Sequence, residues 1–219
     1  MSLYQFEARF FLCYTSRIEM KIVVLGGRFD PIHVGHLLIA RQVLEFDPSI
    51  DKVIFVPAYQ HQWKSIVASP KDRVEMIRQV LEDKMEISDL EIKRKGVSYS
   101  IDTIKSLKKQ TPARNALQSD AGGGAQIYWI VGSDIIAEFS RWKNSQELLK
   151  EATFLVFPRD PYDLPKNLAE GFKLVESPIL QVTNFSSTVI RQRIKDGKSI
   201  KYLVPEKVEQ YIREHKLYE

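Results

Sequence analysis

A single cysteine, Cys13, is all the thiol chemistry this sequence carries. It can form no internal disulfide and no Cys-x-x-Cys metal site, so a reducing, cytoplasmic setting is the natural reading. Long apolar runs are also missing. The stretch nearest the N-terminus, Phe10 to Tyr14, is too short to cross a membrane, and it lacks the extended apolar region and small-residue cleavage site of a secretion signal. Blocks of one charge are absent too, with no run of five like charges. The formal net charge of +4, from 32 basic and 28 acidic residues, is mild and dispersed. That suits handling of anionic small molecules and gives no support to a nucleic-acid surface. What is present is an ordinary globular composition: 219 residues, 44% of them hydrophobic, are enough for one large domain with a sizeable core.

Along the chain, short apolar runs alternate with helical patterns. Residues 1–19 read as an extension, because Met20-Lys21-Ile22-Val23-Val24 looks like the start of a first core strand. That strand, Lys21–Leu25, is closed by Gly26-Gly27, and a helix with a wide apolar face follows from about Val34 to Phe46. Lys52–Val56 is a second strand. Ser69-Pro70 then caps a helix expected to run to Glu82, and Met85–Ile92 is further strand material. A helix from Ser100 gives way at residues 110–125 to an aperiodic, glycine-rich stretch. Gln126–Val131 and Thr153–Phe157 are strands flanking a helix at Ser145–Glu151, with Phe172–Glu176 and Ile179–Val182 expected as the last strands. Helices at Ser187–Lys195 and Pro205–His215 close the chain. This order predicts an α/β fold, a doubly wound, Rossmann-like parallel sheet with helices on both faces. Residues 20–219 would form one domain, with 186–219 as a C-terminal helical part. Ligands of such sheets sit beyond the strands' carboxyl ends at the topological switch point, where Gly26, Gly27 and Gly132 fall.

The segment after the first strand carries the most chemistry. Paired glycines let the backbone approach a phosphate without a Cβ in the way. The next helix begins near His33, so its free amides and positive dipole end face the same space. His33 and His36, three apart, would share one face of its first turn and could donate to phosphate oxygens that gain charge in a transition state. Ser187 and Thr188 open another helix, and there a plain N-cap and an anion site are compatible readings. Trp142 taken alone reads as readily as core.

Gly26–His36 resembles the GGTFDPIHxGH signature of the HxGH nucleotidyltransferases, and more narrowly that of the bacterial nicotinate-nucleotide adenylyltransferases. The likeness extends from Met20 to Tyr218. Ser98-Tyr99-Ser100-Ile101-Asp102-Thr103 is similar to the family's SYTxDT, Gly132-Ser133-Asp134 to its GxD, and Phe139 with Trp142 to the following FxxW. Phe185–Arg191 is close to ISSTxIR, and Leu217-Tyr218 echoes the family's tail. Several motifs in one order are far more specific than HxGH alone.

The resemblance implies transfer of the adenylyl group of ATP to nicotinate mononucleotide, a step of NAD biosynthesis. It implies His33, His36 and Arg191 as catalytic residues, with His36 nearer the α-phosphorus and Arg191 at the β- and γ-phosphates. Gly26, Gly27, Phe29, Asp30, Gly132, Asp134, Ser186, Ser187 and Thr188 would bind ATP, Asp134 near its sugar or its metal-bound phosphates. Lys64, Tyr99, Thr103 and Trp142 would bind the acceptor, Trp142 stacking on the pyridine ring. Mg²⁺ would arrive bound mainly through ATP phosphates, with no metal ligand set of the protein's own. The implied partners are ATP and a pyridine mononucleotide, without nucleic acid or membrane, and a homo-oligomer is left open.

The chain departs from the pattern at Arg28, where the family usually has Thr, at Phe185 in place of Ile, and at His61-Gln62-Trp63-Lys64 in place of Pro-Pro-His-Lys. Nearby alternatives are an adenylyltransferase acting on nicotinamide mononucleotide or phosphopantetheine, and a catalytically silent nucleotide-binding regulator, against which the intact His33, His36, Ser187 and Arg191 argue. Class I aminoacyl-tRNA synthetases share HxGH, but 219 residues leave little room for tRNA-binding domains and no KMSKS-like run occurs.

Overall fold

Alternate residues of the central strands point to opposite faces of a sheet, and here both sets are apolar. The computed structural model describes residues 19–111, 125–159 and 168–219. The expected N-terminal extension up to residue 18 and the glycine-rich insertion up to residue 124 lie outside the described residues. Among the described residues six strands form one parallel sheet: β1 (Lys21–Gly27), β2 (Lys52–Pro57), β3 (Met85–Ile87), β4 (Gln126–Gly132), β5 (Thr153–Phe157) and β6 (Phe172–Leu174), in the order β3-β2-β1-β4-β5-β6. The chain builds outward from β1 to β3, then returns to lay β4 on the other side of β1. The switch point therefore lies between β1 and β4, as the Rossmann-like reading requires.

One face of the sheet buries Val23, Leu25, Phe55, Ile130 and Phe157. These pack under α1 (Val34–Phe46), α2 (Pro70–Arg78), α6 (Ser187–Lys195) and α7 (Glu206–Glu214), which contribute Val43, Met76, Ile190 and Val208 to the same cluster. The other face buries Val24, Val56, Trp129 and Phe154 beneath α4 (Ser100–Gln110) and α5 (Ser145–Glu151), through Ile104 and Leu148. Burial on both faces is why the strands read as continuous apolar runs.

Three expectations change. Met85–Ile92 is not one strand: β3 stops at Ile87, and α3 (Leu90–Arg94) begins at once. The Ser88 amide makes the last bond to β2, at Phe55 O, and Lys93 N–H then turns back to Asp89 O in helical register. The helix after Ser69 ends at Arg78 rather than Glu82, because Val80 N–H closes onto Ile77 O in a tighter turn. Ile179–Val182 is not a strand. Its backbone is served by a side chain: Gln42 Oε1 accepts from Gln181 N–H at 2.6 Å, and Gln42 Nε2 donates to Gln181 O at 3.1 Å. No helix among the described residues is long and apolar enough to cross a membrane.

The C-terminus is tied to the loop that leaves β1. Tyr218, 5% exposed, donates from its hydroxyl to Asp30 Oδ1 at 2.9 Å. Burial and the adjacent Asp30 carboxylate push the Tyr218 phenol up, so it stays a donor throughout the working pH range. Replacing Tyr218 with Phe keeps the ring's burial but removes one donor from a fully buried carboxylate. The expected cost is about 1–3 kcal/mol, read as a lower midpoint in chemical denaturation; an unchanged midpoint would show that the bond contributes nothing.

Candidate functional site

The carboxyl ends of β1 and β4 open into a cavity of about 350 Å³, lined by Gly26, Gly27, His33, His36, Gly132, Asp134, Tyr99 and Trp142 among others. A second cavity, of about 490 Å³, adjoins it, and Arg28, His33, His36, Trp63, Lys64, Arg159 and Phe185 line both. This outer basin adds Ser186, Ser187, Thr188 and Arg191, and no Asp or Glu side chain among the described residues is on its wall. Four cations and a helix start thus surround one hollow.

The histidine pair sits where the cavities meet. His33 is the N-cap of α1, in extended conformation, and its backbone N–H donates to His36 Nδ1 at 3.2 Å. A nitrogen that accepts this bond carries no proton, so neutral His36 has its proton on Nε2 as a free donor. The rings stack with centroids 3.6 Å apart and 20° between planes, and the edge of Phe29 closes on His36 at 4.9 Å. Gly35 makes this packing feasible: a Cβ there would lie 3.0 Å from Phe185 Cβ, 3.0 Å from Thr183 Oγ1 and 3.2 Å from His33 Nδ1.

Burial, and secondarily the Arg159 charge, push His33 down to about 4. Burial also holds His36 well below its ordinary value, with His33, Arg159 and Arg28 adding to the effect. Both imidazoles are therefore neutral at pH 7, and they act as hydrogen-bond donors rather than fixed cations. His33 Nδ1 is buried with no hydrogen-bond partner among the described residues.

α6 is locked onto the β1 loop. Ser187 Oγ donates to Pro31 O at 2.9 Å, and Arg191, one turn on, donates to Asp30 O at 2.7 Å with Asp30 Oδ2 at 3.8 Å. Ser186 caps this helix without a side-chain bond, and the first intrahelical bond runs from Ile190 N–H to Ser186 O. The amides before Ile190 have no intrahelical partner, the arrangement that can bind an anion. The Ser187 hydroxyl, expected to hold phosphate, is instead committed to the Pro31 carbonyl.

Other expectations need correction. Asp30 lines neither cavity; it is fully buried, and its carboxylate accepts from Val67 N–H at 2.8 Å, Ala68 N–H at 2.9 Å and Tyr218. Phe29, 1% exposed with φ of 47°, also lines neither cavity and supports His36 from behind. Thr103 is fully buried and off the cavity wall, its hydroxyl bonded to the Glu91 carboxylate and its oxygen accepting from Arg94 Nη2 at 3.2 Å. It braces Glu91, which does line the cavity and whose carboxyl burial pushes up. Tyr99 and Trp142 do stand on the wall, joined by Lys143, whose ammonium lies 4.4 Å over the Tyr99 ring.

Sequence reasoning missed Arg159. It follows β5 at the carboxyl edge of the sheet, lines both cavities and approaches Asp134 Oδ2 at 3.4 Å. The rule that placed Gly132 at the site applies equally to the end of the neighbouring strand. Asp134 Oδ1 is buried without a partner among the described residues, and a Cβ at Gly132 would clash with that oxygen as it stands. No group of three or more His, Cys, Asp and Glu side chains capable of holding a metal occurs among the described residues.

Comparison with known proteins agrees with this geometry. A cytidylyltransferase-like family model matches residues 24–193. The chain is 38% identical over 208 residues to a probable nicotinate-nucleotide adenylyltransferase of Synechococcus sp., covering 90% of this chain and 96% of that protein. It is 39% identical over 212 residues to a probable nicotinate-nucleotide adenylyltransferase of Thermoanaerobacter sp., covering 91% and 95%. Among solved structures, nicotinic acid mononucleotide adenylyltransferase of Plasmodium falciparum complexed with NaAD superposes with a TM-score of 0.72 over 91% of this chain and 98% of that one. At 20% identity that likeness concerns the fold.

The histidine environment has a measurable consequence. A His held neutral by burial binds its proton more readily in the unfolded chain. Its contribution to stability is therefore full above pH 6.5 and is lost as pH falls toward 4. The His33 ring resonances should titrate with a midpoint near pH 4, and His33→Asn should flatten the acid side of the stability profile. A midpoint near 6.5 would contradict the buried, cation-flanked setting.

Proposed function

We propose that this chain, which belongs to the nicotinate-nucleotide adenylyltransferases within the cytidylyltransferase-like family, transfers the adenylyl group of ATP to nicotinate mononucleotide. The products are nicotinate adenine dinucleotide and pyrophosphate. The observation that carries this reading is the pair of adjoining cavities: an inner one with Tyr99, Trp129 and Trp142 on its wall, and an outer basin that adds Arg191 to the Arg28, Lys64 and Arg159 side chains common to both, with His33 and His36 between them. A substrate matching both has a nucleoside part for the sheet end and a polyphosphate for the basin.

The acceptor's phosphate has a second pKa of about 6 and is already a nucleophile at pH 7, so no general base is required. Its oxygen attacks the α-phosphorus in line, the bond from that phosphorus to the bridging oxygen of the β-phosphate breaks, and pyrophosphate departs. The protein's task is to align two polyanions, offset their repulsion and stabilise charge on the departing group. The Nε2–H of His36 suits the α-phosphoryl oxygens. Arg191, Lys64, Arg159 and the first amides of α6 suit the outgoing phosphates. Arrival of a polyanion opposes the cation field that depresses both histidines, so substrate binding draws protonation of the pair upward.

Mg²⁺ is carried by the ATP phosphates in this reading and supplies further charge neutralisation there. Asp134 Oδ1, buried and without a partner among the described residues, is a carboxylate oxygen that would be available to the metal or to a ribose hydroxyl. The acceptor end, with Trp142, Tyr99 and the Lys143 ammonium, suits a flat ring bearing an acid group. Both substrates are water-soluble metabolites, which fits a cytoplasmic setting.

His36→Asn should lower kcat by about 100- to 1000-fold while KM for ATP moves little. A kcat within a fewfold of wild type would remove His36 from the mechanism. With Mg·ATP and a panel of nicotinate mononucleotide, nicotinamide mononucleotide and phosphopantetheine, pyrophosphate release should be fastest with the first. Release with phosphopantetheine alone would overturn the acceptor assignment. Adenylyl label should not become trapped on the protein when acceptor is omitted; a covalent adduct would exclude direct attack.

A further inference from the structure

Arg28 follows Gly27 at the carboxyl end of β1, inside the segment that otherwise matches the family signature with Thr at this position. Its side chain lines both cavities. Nη1 donates to the Ser65 carbonyl at 3.1 Å. Its other guanidinium N–H groups have no protein acceptor among the described residues, and no carboxylate there forms an ion pair with it.

The other cations of the basin are placed differently. Arg191 is anchored to Asp30, and Arg159 faces Asp134. Lys64 precedes Ser65 on the loop that Arg28 holds, and it too has no partner among the described residues. Burial lowers the Arg28 pKa, Arg191 lowers it further, and Asp30 opposes the change. Asp30 spends its oxygens on Val67, Ala68 and Tyr218, so it gives Arg28 no bond. A half-buried guanidinium that faces other cations, with most of its donors unused, is stabilised by an anion lying among them.

We propose that Arg28 is a polyphosphate-binding residue that this chain adds to the signature, one edge of its guanidinium pinning the Ser65 carbonyl, and with it Lys64, while the free edge binds the terminal phosphates of the nucleotide. The inference rests on the reading of the basin as the polyphosphate end of the site. It makes one planar group responsible for both the loop and the ligand, a task a threonine hydroxyl lacks the reach and the charge to perform.

The test uses the whole protein and inorganic tripolyphosphate, followed by titration calorimetry, so that it does not depend on turnover. Wild type should bind it, and R28T should bind about 10- to 100-fold more weakly. R28K, which keeps the charge but loses the fork, should fall between them. Adenosine, which has no phosphate, should bind all three alike. Equal tripolyphosphate affinity in wild type and R28T overturns the inference and leaves the reading of the basin intact, whereas no binding to wild type overturns both. If R28T fails to fold, R28K decides: a weaker affinity than wild type supports the inference and an unchanged one overturns it. The pinning of Lys64 has its own readout, because K64A should cost less affinity in the R28T background than in wild type. Identical losses in the two backgrounds overturn that half.

Discussion

Asp30 is fully buried, and its carboxylate accepts hydrogen bonds from Val67 N–H, Ala68 N–H and the Tyr218 hydroxyl, with the Arg191 guanidinium 3.8 Å away. An ionised carboxylate withdrawn from water costs several kcal/mol unless its oxygens are satisfied, so these partners must all be in place together. They come from a loop after β2, from α6 and from the chain's last residues, and each is thereby drawn to the loop after β1. Arg73, also fully buried, reinforces the arrangement by donating to Arg28 O at 2.7 Å and to Ala68 O at 3.3 Å. The cation-walled basin exists because this network fixes the elements that line it.

The same folding produces the electrostatic character of the histidine pair. Stacking His33 on His36 at the start of α1 desolvates the pair, and the neighbouring arginines add to the cost of a proton on either. A neutral imidazole with its proton on Nε2 is a directional donor that imposes no further positive charge on a crowded basin. The site can then respond to a polyanion by strengthening hydrogen bonds where charge accumulates.

Much of the architecture was legible in the chain. The glycine-closed runs at Lys21–Gly27 and Gln126–Gly132 form the central strands, and Ser69-Pro70 starts a helix with the cap its residues predict. The paired motifs around His33 and Ser187 do meet, since both open helices whose starts face one hollow. Less legible was any segment whose bonding partner lies far away. Ile179–Val182 has the composition of a strand, but Gln42, 139 positions from Gln181, meets its backbone needs. Leu90–Ile92 continues an alternation of apolar and polar residues yet turns helical once pairing with β2 is exhausted.

The division follows the range of the forces. Strand alternation, helix caps and the HxGH spacing are set by residues a few positions apart, so the sequence by itself determined the doubly wound sheet, its switch point and the motifs that stand at the ends of its central strands. Which polar side chains face the cavity depends on desolvation and on partners from distant segments, and only the tertiary structure decided that. It turned Asp30 and Thr103 inward as braces, brought Arg159 from the end of β5 to the histidines, and left Arg28 with one edge committed to Ser65 and the rest facing the basin.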